Sequence, residues 1–362
     1  MKFSIAKKDL VSAVMPPSNA AAKKPSMPVL ACIKIDVVGD VVTFTGTDLF
    51  VGSRVHTPCS TKVPGSVAVP AKQFADACRA LPDGEVSIRL DDKKVELKCG
   101  KTKHLIPWQP ANEYPALPEC SETTAVQATS LAACIASVAH AMYCGDDPGR
   151  ANTAGAHLAL SDCRCEASAG TGQVIAHRNM ECASGAKFSV LIPHRAIADV
   201  RRVLDVAKDG DVGIAVDGGT IFFVHGNVTL SVKLVGESFP DLKRFFERGY
   251  EKRPTFAREM AIDEVKRVMV GAADEFSHVD FAVGDGAMTI TAKSGESSSA
   301  IDIDYAGEPF VVRMPGGAVI SALSALTHNE VAMQVKGVLD PVYFVPAEGV
   351  GQLQIIAPAA VA

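Results

Sequence analysis

The chain has 362 residues, of which 48% are hydrophobic and 21% are charged, with a formal net charge of −5. This composition is typical of a globular protein of two or three domains. The chain has no long uncharged apolar run, and its N-terminus, MKFSIAKKDL, is charged where a signal peptide would be apolar. We therefore expect a cytoplasmic protein with no membrane partner. The net negative charge argues against a nucleic-acid partner unless the charge is unevenly distributed.

The sequence predicts a helix directly after Pro70. Apolar residues occur at the fourth, seventh and eleventh positions after this proline, which is helical spacing; they are Phe74, Ala77 and Leu81. A strand-like alternation that begins at Val86 follows this helix.

The same pattern occurs twice more along the chain. Pro193 lies 123 residues after Pro70, and Pro315 lies 122 residues after Pro193. Each of these prolines precedes an equivalent apolar stripe, which is Ile197, Val200 and Leu204 in the second case and Val319, Ala322 and Leu326 in the third. The chain therefore contains an internal repeat.

Two other features recur at nearly the same interval. A short amphipathic helix is predicted around Leu10, Leu131 and Val265. Tyr114-Pro115-Ala116-Leu117 is matched by Phe239-Pro240-Asp241-Leu242. Several matches at one interval predict an α+β protein of three tandem similar domains, at residues 1–122, 123–252 and 253–362.

The charges differ between these three segments. Residues 1–122 have 16 basic and 13 acidic side chains (+3), residues 123–252 have 13 and 14 (−1), and residues 253–362 have 7 and 14 (−7). Opposite charge at the two ends favours head-to-tail contact between copies, an interface that can close into a ring.

Basic residues recur beside the apolar stripes of the first two repeats. Lys72 and Arg79 are seven residues apart, as are Arg195 and Arg202, so each pair is expected on one side of its helix. An ordinary solvated face explains one such pair, but the recurrence favours a phosphate-binding surface without base specificity. Arg201 adds to it. The third repeat has Gly317 and Ser324 at these positions, where Lys266 and Arg267 of its other helix are expected to compensate in part.

The ten cysteines all lie between Cys32 and Cys182, and none form a CxxC motif. Cys163 and Cys165 lie in a strand-like segment, where alternate residues share one face. Mostly buried, reduced thiols of an intracellular protein are the simplest interpretation. We expect no metal and no cofactor.

Several segments together resemble the bacterial beta sliding clamp family, the beta subunit of DNA polymerase III. They occur in the order and spacing of that family and are MKFSIAKKDL, PSMPVL, TGTDLFVGSR, VPAKQFADACRALPDGE, GESFPDLKR and IDEVKRV. The resemblance implies a homodimeric ring, joined head to tail, of DNA-clamp domains with antiparallel sheets outside and helices inside. Such a ring encircles double-stranded DNA without sequence preference, is opened by a clamp loader, and tethers DNA polymerase III as a processivity factor in DNA replication, with no catalysis of its own.

The resemblance also implies roles for particular residues. Those expected toward the DNA are Lys24, Lys72, Arg79, Arg150 and Arg202. A pocket for the peptides of partner proteins is implied at Gly172, Gln173, Val174, Ile175, Pro240, Arg244, Phe245, Ile356, Ala357, Pro358 and Ala359. The dimer interface is implied at Lys101, Lys103, His104, Ile106, Val270 and Glu296.

The pocket and the interface are the least typical parts of the sequence. The family usually has Thr-Asp-Gly-His-Arg-Leu where residues 170–175 read GTGQVI, and Met-Pro-Met-Arg-Leu where residues 357–361 read APAAV. At the interface, residues 295–299 read GESSS where the family is usually acid-rich, and Gly271 weakens the apolar patch beside Val270. These changes predict a shallower pocket and a weaker dimer. An accessory clamp and a chromosomal clamp of a divergent lineage both fit them.

Two other functional classes remain open. An enzyme would have to use His278-x-Asp280, the Cys163/Cys165 pair or Gly170-Thr171-Gly172, and none of these features supports another. A clamp-derived interaction protein that no longer encircles DNA would explain the altered interface and the missing basic residues of the third repeat.

Overall fold

The computed structural model describes residues 1–25, 27–120, 122–145, 147–242, 245–246, 250, 252–270, 278–292 and 297–360. The chain divides into two compact units. The first unit comprises Met1–Thr129, Ser184–Ala186 and Ala196–Leu234, and the second comprises Ser130–Ala183, Lys187–Arg195 and Val235–Ala362.

The described residues form α-helices and antiparallel β-strands. The helices are α1 (Lys7–Ala20), α2 (Ala71–Ala80), α3 (Ala128–Val138), α4 (Ile197–Ala207), α5 (Arg258–Met269) and α6 (Gly316–Ala325). The strands are β1 (Lys2–Ala6), β2 (Cys32–Val38), β3 (Val41–Thr47), β4 (Val51–Pro58), β5 (Ser60–Val63), β6 (Gly65–Pro70), β7 (Glu85–Leu90), β8 (Lys94–Cys99), β9 (Thr102–Pro107), β10 (Thr124–Gln127), β11 (Gly155–Ser161), β12 (Arg164–Gly170), β13 (Val174–Glu181), β14 (Phe188–Pro193), β15 (Asp211–Asp217), β16 (Thr220–His225), β17 (Val228–Lys233), β18 (Thr255–Ala257), β19 (His278–Val283), β20 (Ala287–Ala292), β21 (Ser298–Asp302), β22 (Phe310–Pro315), β23 (Glu330–Gln334), β24 (Val342–Pro346) and β25 (Gln352–Ile356).

Each unit contains one large and one small sheet. The first unit has an eight-stranded sheet of order β10-β15-β16-β17-β4-β3-β2-β6 and a five-stranded sheet of order β5-β1-β7-β8-β9. The second has an eight-stranded sheet of order β14-β11-β12-β13-β25-β24-β23-β18 and a four-stranded sheet of order β21-β20-β19-β22. The predicted α+β class is confirmed.

Each eight-stranded sheet joins strands of two successive repeats. In the first unit β17 pairs with β4, with Val232 opposite Val51. In the second unit β25 pairs with β13, with Ile356 opposite Val174. We call these pairings the first junction and the second junction. Because both sheets continue across the predicted borders at 122 and 252, the three-domain division remains a prediction.

The predicted apolar stripes are the buried faces of α2, α4 and α6. Phe74, Val200 and Val319 are completely buried, whereas Ala77 is only partly so. Burial of a large apolar side chain stabilises the fold by about 1.5–3 kcal/mol, so these stripes explain why the helices dock on their sheets. The predicted first helices of the repeats are α1, α3 and α5.

Helix α1 lies very close to the sheet at Gly46. A Cβ added to Gly46 would lie 1.8 Å from the carbonyl oxygen of Pro17. Only glycine therefore permits this approach. Pro16 and Pro17 lie inside α1.

Two details of the sequence-based prediction are wrong. Arg195 does not lie on the helix that carries Arg202, because a 3₁₀ turn, His194–Ala196, precedes α4. Cys163 does not share a strand face with Cys165, because Asp162 and Cys163 form a tight turn with φ of 50° and 60°. Cys163 is exposed in that turn, and Cys165 is buried in β12.

Candidate DNA and partner interfaces

Helix α2 presents two exposed cations on one side. Lys72 and Arg79 both lie on this helix, as predicted from their spacing. The guanidinium of Arg79 is 2.6 Å from the carboxylate of Asp76, three residues earlier. Such an exposed pair contributes roughly 0–1 kcal/mol, so it does not prevent Arg79 from turning to another anion.

Helix α4 repeats this arrangement. Arg201 and Arg202 are exposed, and Arg202 lies 2.5 Å from the carboxylate of Asp199. Asp199 and Asp76 are 123 residues apart, so the acid recurs with the arginine. Burial raises the pKa of the Asp199 carboxyl, and Arg202 opposes this shift.

Helix α5 carries the two cations predicted for the third repeat. Lys266 and Arg267 are exposed in its last turn. Lys266 is 4.0 Å from Asp263, and Arg267 pairs with Glu264. The sequence-based prediction counted the cations and overlooked these acids, although their spacing of three residues was readable.

The remaining predicted DNA contacts lie outside these helices. Lys24 is exposed after α1, and Arg195 is exposed in the turn before α4. The guanidinium of Arg150 lies over the Tyr143 ring, 4.2 Å from its centroid. It also reaches within 4.0 Å of where a Cβ on Gly172 would be. The structure therefore places Arg150 beside a predicted pocket residue.

The second junction brings together two segments of the predicted partner pocket. The backbone N–H of Ala357 donates to the carbonyl of Gln173 over 2.8 Å. Thr171 closes the turn before β13, because its hydroxyl accepts from the backbone N–H groups of Gln173 and Val174. Gly172 and Gln173 are exposed, Ile356 is buried, and five residues are half-buried: Val174, Ile175, Ala357, Pro358 and Ala359.

The third predicted segment of this pocket lies near histidines of the same unit. Phe239 stacks on His157 with ring centroids 5.2 Å apart, and Phe246 lies 4.5 Å from His177. Burial lowers the pKa of both histidines. Pro240 is exposed and Phe245 is half-buried, while Arg244 lies outside the described residues.

The predicted interface residues of the first repeat lie on or beside β9, the edge strand of the five-stranded sheet. Lys101 and Lys103 are exposed, and Lys103 is 2.5 Å from Glu96 on β8. Ile106 is buried in its own core, and His104, on the same face, is half-buried.

The predicted interface residues of the third repeat lie near another edge strand, β21. Val270 follows α5 and is 87% exposed. Glu296 lies outside the described residues.

Asp280 and Gly170, two of the residues that an enzyme would have to use, have structural roles. The carboxylate of Asp280 binds the guanidinium of Arg313 through two contacts of 2.6 and 2.8 Å. Gly170 is the last residue of β12. In the part of the chain that the structure describes, no cluster of His, Cys, Asp or Glu is arranged to hold a metal ion. No described helix is long and apolar enough to cross a membrane.

The fold is that of DNA sliding clamps. The structure of DNA polymerase III subunit beta from Pseudomonas aeruginosa superposes with a TM-score of 0.90 over 99% of this chain and 100% of that chain, at 22% identity. A structure described as a putative DNA polymerase III beta subunit from Eubacterium rectale gives 0.92 over the full length of both chains, at 20% identity.

Sequence comparison agrees with the fold. Residues 1–118 match the model of the DNA polymerase III beta subunit, N-terminal domain. The chain is 26% identical to the beta sliding clamp of Caulobacter vibrioides, covering 86% of this chain and 87% of the relative. It is 24% identical to that of Escherichia coli K12, covering 99% of each. The N-terminal third of the chain thus matches the beta-subunit family model, and nearly the whole chain is similar to beta sliding clamps, at 24–26% identity.

Proposed function

We propose that this protein is a DNA sliding clamp, a processivity factor that encircles duplex DNA and tethers DNA polymerase III and other partners. The supporting observation is the likeness, over 99% of both chains, to a protein named as a beta sliding clamp. The clamp would be opened by a separate loader and would catalyse no reaction. A closed ring is retained by its topology, so its contacts with DNA can stay weak enough for sliding.

Exposed cations on three helices support the proposed contact with DNA. Lys72 and Arg79 on α2 and Arg201 and Arg202 on α4 offer positive charge on equivalent helices of the first two repeats, and Lys266 and Arg267 add charge on α5, the other helix of the third repeat. Contacts with phosphate carry no base specificity and are salt-dependent, which suits a protein that moves along DNA. Lys24 and Arg195 are proposed to contribute from the adjoining loops.

Two edge strands support head-to-tail closure. Strands β9 and β21 each leave one side without a neighbouring strand in the described sheets, so each can extend a sheet of another copy. Lys101 and Lys103 lie at the first edge, whereas residues 253–362 carry a net charge of −7. Opposite charges would orient the two copies.

The second junction supports a peptide-binding role for the 172–175 and 356–359 segments. Their backbone pairing holds the two walls together, and the half-buried Val174, Ile175, Pro358 and Ala359 offer a mostly aliphatic surface. We propose that partner proteins insert short apolar peptides here.

The test combines mass measurement with DNA retention. The purified protein is studied by sedimentation from nanomolar to micromolar concentration, then loaded onto nicked circular DNA. A working clamp is dimeric, remains on the circle, and leaves when the DNA is linearised. Lys103→Glu should shift the dimer toward monomer, whereas Lys93→Glu, an exposed loop change of equal charge, should not.

A second candidate is a clamp-derived interaction protein that does not encircle DNA. The ion pair between Lys103 and Glu96 within one chain favours it, because that lysine is already partly neutralised. A monomer at all concentrations, with equal loss from circular and linear DNA, would support this candidate and contradict the working clamp.

A further inference from the structure

The first junction has its own cavity, of about 210 Å³, formed by parts of the first unit alone. Its wall includes Leu49, Phe50, Pro115, Leu117 and Lys233. Its volume is below the roughly 300–1,000 Å³ of pockets for drug-sized ligands, so it suits one or two side chains.

The backbone around this cavity repeats that of the second junction. The N–H of Lys233 donates to the carbonyl of Phe50 over 2.8 Å, the same distance as between Ala357 and Gln173. Phe50 lies 123 residues before Gln173, and Lys233 lies 124 residues before Ala357. The two junctions are therefore equivalent positions of the internal repeat.

The side chains at the two junctions differ strongly. The first junction has Leu49 and Phe50, which are 50% and 43% exposed, where the second has Gly172 and Gln173. Large apolar side chains at a concave exposed site are typical of interaction surfaces. The first junction therefore has exposed large apolar side chains at two positions where the second has none.

Leu49 adopts a conformation that leucine rarely adopts. Its φ is 76°, in the left-handed region, which costs an ordinary residue roughly 1–2 kcal/mol. Glycine or asparagine would relieve this strain, and the half-exposed Leu49 offers little burial in exchange. Backbone strain that packing does not require is often found at binding sites.

Hydrogen bonds hold the Leu49–Phe50 turn rigid. One carboxylate oxygen of Asp48 accepts from the backbone N–H groups of Phe50 and Val51, over 2.9 and 2.7 Å. The hydroxyl of Thr47 accepts from the N–H of Leu49 and donates to the carbonyl of Val51. A preorganised turn loses little conformational entropy when it binds a partner.

Lys233 gives the site a positive charge. Its ammonium lies 5.9 Å from the centroid of the Phe50 ring, and its side chain is exposed at the cavity. We propose that the first junction is a second docking site, which binds a short extended peptide of a partner protein. The peptide carries one or two large apolar side chains for the cavity and an adjacent carboxylate for Lys233. The analogy with peptide binding at the second junction rests on the proposed function, but the cavity and its lining do not.

The test uses a phage-displayed library of random hexapeptides selected on the full-length protein. Synthetic copies of the recovered peptides are then titrated by fluorescence anisotropy against Phe50→Ser, Lys233→Gln and the matched control Gln173→Ser. We expect a class of apolar, acidic peptides whose affinity falls at least tenfold with Phe50→Ser. Lys233→Gln should lower the affinity for these peptides by a smaller factor and reduce the salt dependence of their binding. Gln173→Ser should leave that affinity unchanged.

The variant Leu49→Gly guards against loss of folding, because glycine tolerates the left-handed conformation. This variant should be at least as stable as the original protein, and it should bind the same peptides with lower affinity. The proposal is overturned if the library yields no peptide, or if every recovered peptide is insensitive to Leu49→Gly and Phe50→Ser. DNA retention is measured separately on these variants, so failure of the clamp function would not be mistaken for failure of this site.

Discussion

The two junctions have similar backbones but different surfaces. In both, a turn closed by a side-chain cap leads into a strand, β4 or β13, that pairs with the last strand of the next repeat. Asp48 is the cap at the first junction, and Thr171 is the cap at the second. The exposed tips are Leu-Phe and Gly-Gln. Backbone pairing that holds a unit together is thus retained, while side chains that face solvent vary.

The largest expected effect comes from copying a second-junction residue into the first. Ile175 of the second junction stands at the position of Gly52 in the first. A Cβ on Gly52 would lie 2.6 Å from the Ser231 hydroxyl and 2.7 Å from Leu117. Gly52→Ile should therefore cost about 3 kcal/mol or more in unfolding free energy, measured by urea denaturation.

The control for that prediction copies a first-junction residue into the second junction. Gln173→Phe copies exposed Phe50 into the second junction and should change stability by less than about 0.5 kcal/mol. Equal destabilisation by the two variants would contradict the structural difference described at Gly52.

The stability of the two units should depend differently on pH. Burial lowers the pKa of His140, after α3, from 6.5 to about 4, although Gln354 partly opposes this shift. The unfolded chain therefore binds a proton more readily, so stability is complete above pH 6.5 and falls as pH drops toward 4. Between pH 7 and pH 4.5 this histidine should cost the second unit about 2.5 kcal/mol.

The comparison is made by hydrogen exchange and urea denaturation at both pH values. His140 follows α3, and the end of the corresponding helix α1 in the first unit has Pro16, Pro17 and Asn19, which do not titrate. The loss of stability that His140 causes at low pH therefore has no counterpart at the end of α1. His140→Gln should reduce the difference without altering the titration of the carboxylates, and the remainder comes from His157 and His177, whose pKa values burial also lowers. An unchanged pH dependence in that variant would contradict the assignment.

The ion pair beside the C-terminal tail distinguishes the second unit further. Arg313 binds Asp280 with two contacts, and its carbonyl accepts from the N–H of Ala359 over 2.8 Å. Asp280→Asn should lower the unfolding free energy by about 1.5–3 kcal/mol, because both charged side chains are mostly buried. Glu96→Gln, which breaks an exposed pair, should cost less than about 0.5 kcal/mol in the same urea titration.

The smallest expected effect concerns the acids on α2 and α4. The double variant Asp76→Asn and Asp199→Asn should free Arg79 and Arg202 from their ion pairs. The affinity of the protein for a linear DNA duplex should then rise about threefold to tenfold. The slope of log affinity against log salt should steepen by up to about 0.9 for each new phosphate contact. The control is the double variant Asp83→Asn and Asp162→Asn, which changes the net charge by the same amount at two loop positions. If both pairs act equally, net charge rather than arginine release is responsible.

Helical periodicity in the sequence was sufficient to predict α2, α4 and α6 with their buried residues. It could not predict the 3₁₀ turn that separates Arg195 from α4, because three residues carry no periodic signal. The turn at Cys163 was missed for a similar reason, since left-handed residues other than glycine have no strong sequence signature.

Strand alternation explains what was missed at the predicted interface. Lys103 and Leu105 lie on the exposed face of β9, whereas His104 and Ile106 lie on the other face. Successive side chains of a strand point to opposite sides, so one face could not contain all the predicted residues. The cavity at Leu49 and Phe50 was missed because it depends on pairing between β4 and β17, strands far apart in the chain.

The ladders that join successive repeats also determine how each unit responds to force. Pulling β4 and β17 along their length loads all the hydrogen bonds between them at once, so the ladder resists as a whole. Pulling outward at one end loads the bonds one after another, and the ladder separates at low force. The direction of a pull, as well as its strength, therefore decides whether a junction between repeats survives mechanical stress.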